Sequence, residues 1–288
     1  MKRILILSLI TFLFIFSYTV FANPNQKSYL NLTKEEEKYI KENNIDINIL
    51  LNYYHYQTFD LYKYFQYENV RSNSNNYLEA INIVNNPTFY SNYEEKEKAL
   101  FINSSSILIN KHYYVPYEYI PNNLVSIDNY NINYIKRENE VMQGVDIALI
   151  QLEKMFNEAK LFNFDLFVFS GYRNYSKQEY LYYIVNQQND NYSARPGHSE
   201  HHSGLAFDIS TLNIGLITSF GDSLEFDWLI NNCHKYGFIL RYPKDKEIIT
   251  LYKFEPWHFR YVGVDIATNI YNNNLAFEEY ILKNYELK

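Results

Sequence analysis

Apolar residues fall into three regimes along the 288-residue chain. From Ile4 to Phe21 they run almost unbroken. From Asn31 to about Glu95 they are scattered among polar and tyrosine residues with weak periodicity. From about Leu100 onward, short continuous runs alternate with helical spacing, the pattern of a mixed helix and strand domain. In this third regime Ser106–Lys111 reads as a short strand, with Tyr117–Pro121 extended after it. Between Glu140 and Leu161, Val145, Ile147, Ala148, Leu152, Met155, Phe156 and Ala159 line one helical face. Leu166-Phe167-Val168-Phe169 reads as a buried strand that delivers Ser170-Gly171-Tyr172-Arg173. Ser176–Val185 reads as a helix, and a helix through Trp228–Tyr236 is stopped by Gly237. Leu205, Phe207 and Ile209 alternate with Ala206, Asp208 and Ser210, so a strand here puts Asp208 on the face opposite the apolar trio.

The first regime has the layout of an export signal. Lys2 and Arg3 precede the apolar run, and Val20-Phe21-Ala22 offers small residues before Asn23. The run is also long enough to serve as a membrane anchor. Residues 1–22 are therefore a signal peptide or an N-terminal anchor, and either reading places the rest outside the cytoplasm, extracellular or cell-wall associated. Residues 23–99 read as a helical appendage or spacer. Thr33-Lys34-Glu35-Glu36-Glu37 marks a capped helix start, and Leu50, Leu51, Tyr54, Leu61, Tyr62 and Phe65 supply helical faces. The remaining domain is expected over residues 100–288.

Composition narrows the partners. Apolar content of 47% and charge of 20% are those of a globular protein. The formal net charge of -7, with no basic stripe, argues against nucleic acid. Cys233 is the only cysteine, so no internal disulfide forms, and its helical setting suits a small buried hydrophobe.

Ser199-Glu200-His201-His202-Ser203-Gly204-Leu205-Ala206-Phe207-Asp208 is answered later by Glu255-Pro256-Trp257-His258. Two imidazoles and a carboxylate, His201, His258 and Asp208, can hold a divalent metal and leave a fourth tetrahedral position for water. Glu255 is then free to take a proton from that water. Gly204 permits the tight path that returns His201 to the same point as Asp208. Pro256 argues against a helix between Glu255 and His258, and strand residues three apart face opposite sides. A turn or bulge must aim both inward. The helical H-E-x-x-H spacing of one class of metalloprotease is absent. Trp257 is either a packing residue or a cleft wall, and Ser199 either a loop cap or a substrate contact. Arg173, at a strand edge, can donate two hydrogen bonds to a carbonyl or carboxylate, or pair structurally. Arg241 has the option of pairing with a carboxylate near the site. His55, His112 and His234 lack partners in any matching pattern and are assigned to structure.

The order S-x-H-x-x-G-x-A-x-D then E-x-x-H, with S-G-Y-R upstream, resembles the zinc D,D-carboxypeptidases and D,D-dipeptidases of bacterial cell-wall metabolism. Within this LAS-type group the VanY-type D-alanyl-D-alanine carboxypeptidases are most similar, and the resemblance runs from about Ser106 to Val264. It selects His201 over its neighbours His198 and His202. It implies an α+β fold, a small mostly antiparallel sheet flanked by helices and carrying one Zn2+. The implied ligands are His201, Asp208 and His258, with Glu255 as base and Arg173 stabilising the oxyanion. Gln178, Ser199 and Trp257 become the substrate contacts. The implied reaction removes the C-terminal D-alanine from peptidoglycan stem peptides. An L,D-carboxypeptidase, a D,D-dipeptidase, an endopeptidase and a non-catalytic zinc- or cell-wall-binding module are the alternatives.

Overall fold

The computed structural model describes residues 30, 32–54, 56–87, 89–93, 96–190 and 193–285. The expected signal or anchor, and His55, lie outside the described residues. The chain divides into two compact units, one ending at Phe65 and the other beginning at Gln66. The first contains α1 (Lys34–Glu42) and α2 (Ile47–Tyr53). At the start of α1 the Thr33 hydroxyl accepts from the Glu36 amide at 3.2 Å and the Glu36 carboxylate accepts the Thr33 amide at 2.7 Å. That reciprocal pair satisfies two donors that helix geometry leaves open. Helix α3 (Tyr64–Ser74) straddles the division.

Residues 66–99, expected with the appendage, group with the second compact unit. Ion pairing is the physical reason. Glu79, on α4 (Tyr77–Asn85), accepts from the Lys246 ammonium at 2.8 Å, and Glu279 lies 3.1 Å from the same ammonium. All three side chains are buried. Phe89 and Tyr90 then join one apolar cluster with Val262, Ala267, Ile270 and Phe277.

The second unit is built on a four-stranded sheet of order β5-β6-β8-β7, antiparallel throughout. Ahead of it come two small ladders. β1 (Glu97–Lys98) pairs in parallel with β2 (Tyr113–Tyr114), and β3 (Leu124–Ser126) pairs antiparallel with β4 (Gln143–Val145). The main strands are β5 (Phe167–Ser170), β6 (Ala206–Ser210), β7 (Phe238–Leu240) and β8 (His258–Tyr261). Phe207, Ile209, Phe238 and Phe259 turn one way, into a core with Leu152, Met155 and Phe156 of α5 (Asp146–Leu161) and Leu229 of α7 (Leu224–Asn232). Each fully buried side chain of this size contributes roughly 1.5–3 kcal/mol. Strand alternation sends Asp208, His258 and Arg260 to the opposite face. Ile239, at the β7 end, meets Ile249 of α8 (Glu247–Thr250), α9 (Val264–Asn273) and α10 (Phe277–Asn284) in the second cluster.

Three element expectations change. Residues 106–111 form no ladder strand, because the Asn110 side chain accepts the amides of His112 and Tyr113, both at 2.9 Å, and folds the backbone into a turn. The helix expected from residue 140 begins at Asp146, because Gln143–Val145 pairs with β3 and the Val145 amide donates to Gly204 O. The helix expected over 176–185 is α6 (Tyr175–Tyr180) followed by a wider π-type turn over Leu181–Val185.

Candidate metal centre

Asp208 faces His258 in the β6·β8 ladder and Ser170 in the β5·β6 ladder, so it sits mid-sheet with a donor beside it. His201 arrives from a single helical turn, Glu200–Ser203, that precedes β6. Gly204 ends this turn at φ +66°, a left-handed conformation that suits glycine. A β-carbon there would meet Val145 Cγ2 at 3.0 Å. Glu255 and His258 are aimed together by a turn in which the His258 amide donates to Glu255 O at 3.1 Å.

His201, Asp208 and His258 each offer a ligand atom, and these atoms lie within 4.8 Å of one another. His201 Nε2 is 3.3 Å from Asp208 Oδ2, and His258 Nδ1 is 3.2 Å from Asp208 Oδ1. All three residues are buried. His201 Nδ1 lies 2.7 Å from the Gly171 carbonyl, which can only accept. That nitrogen therefore carries the proton, and Nε2 keeps the lone pair that can bind a metal. Two imidazole nitrogens and a carboxylate oxygen converging on one buried point suit zinc.

Electrostatics separate the two carboxylates. Burial pushes Asp208 upward, but the two histidines outweigh it and hold Asp208 well below the usual carboxylate range. Burial also pushes Glu255 up, the Asp208 charge adds to it, and Glu255 ends at about 7 despite His258 and Arg173. Glu255 Oε2 is 3.7 Å from His258 Nδ1. One carboxylate is kept as an anion to ligate and the other is poised to exchange a proton near neutral pH.

A cleft of about 260 Å³ opens over these residues. Arg173, Ser199, Tyr242, Tyr252 and Trp257 share its lining with the three donors and Glu255. Arg173 is held by donating from Nη1 to Gln178 Oε1 at 2.7 Å and from Nη2 to Ser170 Oγ at 3.1 Å. Nη2 also lies 3.7 Å from Asp208 Oδ2. Gln178 is fully buried, and its amide nitrogen donates to Ala194 O at 2.6 Å and Ser193 Oγ at 3.1 Å. The structure places Gln178 behind Arg173, outside the cleft lining.

The neighbouring histidines are held in other ways. His202 turns Nδ1 to Arg173 O at 2.7 Å and accepts the Gly197 amide at Nε2. His198 turns Nδ1 to Asn110 O at 2.8 Å. Burial lowers both to about 4. His112 meets Ser91 Oγ at 2.7 Å, and His234 stacks on Tyr271 at 3.9 Å.

Three side chains at the site carry no role in the sequence reading. Tyr242 and Tyr252 form one wall, and the Tyr242 ring lies 4.8 Å from that of His258. Glu200, inside the first motif, is fully buried and points Oε2 at His258 Nε2 from 3.4 Å. Its position between Ser199 and His201 was the one available signal. Arg241 does pair near the site, donating from Nε to Glu200 Oε1 at 2.8 Å.

A family model described as VanY, D-alanyl-D-alanine carboxypeptidase, matches residues 145–264. YodJ of Bacillus subtilis (strain 168) is 40% identical over 190 residues, covering 61% of this chain and 66% of YodJ. A D-alanyl-D-alanine carboxypeptidase of Enterococcus faecium is 34% identical over 179 residues, covering 61% of this chain and 56% of that protein. The chain thus spans less than two thirds of the length of these curated relatives. Among solved structures, the LdcB LD-carboxypeptidase is 35% identical with a TM-score of 0.58, covering 69% of this chain and 97% of LdcB.

Proposed function

The chain belongs to the VanY family, and on that premise we propose that it is an exported zinc carboxypeptidase that removes the C-terminal D-alanine from peptidoglycan stem peptides. The observation that carries the reading is the convergence of His201, Asp208 and His258 with Glu255 and Arg173 in one cleft.

His201, Asp208 and His258 would hold a zinc ion, which when bound would supply Lewis acidity and lower the pKa of a water. Glu255 accepts the proton of the attacking water and returns it to the leaving amine, a task suited to a carboxyl near pKa 7. Arg173 donates to the substrate carbonyl oxygen as negative charge develops there. Gln178 and Ser170 fix the guanidinium beforehand, so little reorganisation is needed at reaction. Ser199 and Trp257 face the cleft as substrate contacts. Tyr242 and Tyr252 exclude water from one side.

Export is supported by Lys2, Arg3 and the apolar run to Phe21. Among the described residues no helix is long and apolar enough to cross a membrane. Likeness to the LdcB LD-carboxypeptidase favours a second reading, cleavage of a tetrapeptide at an L,D bond by the same residues. Mass spectrometry of products from defined pentapeptide and tetrapeptide stems, with and without chelator, tests both. Release of D-alanine from the pentapeptide, abolished by chelator and restored by zinc, is the expected result. Chelator-insensitive release would overturn the metal reading.

A further inference from the structure

We infer that Glu200 is a positioning residue for the metal centre: its carboxylate accepts the Nε2–H of His258 and so orients that ring with Nδ1 toward Asp208 as the ligating atom. The inference rests on the zinc reading above. Glu200 Oε1 is fully committed, accepting from Arg241 Nε at 2.8 Å and Arg260 Nη1 at 2.7 Å. Oε2 has no such partner and lies 3.4 Å from His258 Nε2, which is also unpaired. An ionised carboxylate only accepts, so once a cation sits between Nδ1 and Asp208 the ring's one remaining proton belongs on Nε2, the nitrogen that faces Glu200. The other nitrogen, Nδ1, is then the ligating atom. His201 is arranged the other way round, with Nδ1 on the Gly171 carbonyl and Nε2 inward. The two ligand rings are thus held in opposite tautomers by two different acceptors, one backbone and one side chain.

Glu200 is itself held from further out. Arg241 donates to both Glu278 oxygens, at 2.8 and 2.5 Å, and Glu278 belongs to α10. Arg260 donates to the carbonyls of Ile107 at 2.7 Å and Ser105 at 3.0 Å. Both guanidiniums and both carboxylates are almost wholly buried, so two cations and two anions balance without solvent. Structural cohesion alone explains Arg241, Arg260 and Glu278. It leaves the uncommitted Glu200 oxygen, aimed at a ligand ring, without a purpose.

The test measures zinc Kd by chelator competition on the full chain, for wild type, Glu200→Gln and Glu278→Gln. A glutamine at position 200 keeps an acceptor for the arginines but turns an amide N–H toward His258 Nε2. That ring must then accept there and carry its proton on Nδ1. Zinc affinity is expected to fall roughly 10–100-fold in Glu200→Gln. Glu278→Gln disturbs the same cluster without touching His258, and is expected to lower Tm while leaving zinc Kd within about threefold, since its effect on the ligand is indirect. Unchanged zinc affinity in Glu200→Gln, or an equal loss in Glu278→Gln, overturns the inference. Should Glu200→Gln fail to fold, histidine ¹⁵N spectra of the zinc-loaded wild type decide. A metal-shifted Nδ1 and a protonated Nε2 on His258 support it, and the reverse assignment overturns it. Wild-type protein that binds no zinc overturns the zinc reading as well, whereas tight wild-type binding matched by Glu200→Gln overturns this inference alone.

Discussion

Asp208 and His258 are direct partners in the β6·β8 ladder, so backbone pairing sets the distance between two of the three metal donors. His201 is brought to them by the turn that Gly204 closes. The consequence is a site whose donors are already gathered, with little chain entropy left to lose on metal binding.

Zinc content should track these three residues. His201→Ala and His258→Ala are expected to lower occupancy sharply in protein purified without chelator, as is Asp208→Ala, which also removes the charge that offsets the metal. Metal analysis by mass spectrometry checks this. Full retention in both histidine variants would refute the ligand set.

Removing the base should separate binding from chemistry. Glu255→Gln is expected to keep zinc and lose roughly 10²–10⁴-fold in turnover, the usual worth of a general acid–base group. Arg173→Ala is expected to keep zinc and lose on the order of 10²-fold. Steady-state kinetics with parallel metal analysis reads both. Near-normal turnover in Glu255→Gln would remove that residue from the mechanism.

The donors and base were legible because they lie within two short motifs, and because Leu205, Phe207 and Ile209 set the strand phase that turns Asp208 away from the core. The Glu255–His258 turn followed from Pro256 and strand geometry. Glu200 was not legible, since its partners Arg241 and Arg260 lie 41 and 60 residues away and meet it only in the tertiary fold. The same holds for Lys246, 167 residues from Glu79, whose pairing ties α4 into the second compact unit. The start of α5 was misplaced because Gln143–Val145 is claimed by β3, and no local pattern encodes that pairing.

The Lys246 cluster predicts a stability effect remote from the site. Lys246→Ala strands Glu79 and Glu279 as buried carboxylates, and breaking a buried pair this way costs about 3–5 kcal/mol. The triple variant Lys246→Met, Glu79→Leu, Glu279→Gln is expected to recover most of that loss. Urea unfolding measures both, and a cost below about 1 kcal/mol for Lys246→Ala would deny the cluster its role.

His198 should make stability pH-dependent. Burial lowers its folded pKa to about 4, against 6.5 for the unfolded imidazole. The unfolded chain therefore binds the proton first as pH falls. The contribution is complete above pH 6.5 and is lost between 6.5 and about 4, to an extent on the order of 3 kcal/mol. His198→Phe is expected to flatten this part of the stability profile relative to wild type. Identical slopes for the two proteins over that window would show that His198 does not contribute to it beside His202.

Substrate length follows from the carboxylates in the cleft. A dipeptidase must neutralise the free amine of its short substrate, and an acidic side chain is the natural partner. Among the described residues lining the cleft, the carboxylates are Glu200, Asp208 and Glu255. Glu200 is bound to two arginines, Asp208 is a metal donor and Glu255 is the base. None is left for an amine. Leu181, Asn186, Ser193 and Ala194 also line the cleft and carry no charge for an amine. The chain is therefore expected to release D-alanine from a pentapeptide stem and to cleave free D-alanyl-D-alanine poorly. Pentapeptide, tetrapeptide and dipeptide are compared at equal concentration, following free D-alanine. Preference for the dipeptide would mean that the amine finds a partner elsewhere and would move the chain to the D,D-dipeptidases. Cleavage of the tetrapeptide alone would make it an L,D-carboxypeptidase, with the same donors, base and arginine acting on a different bond.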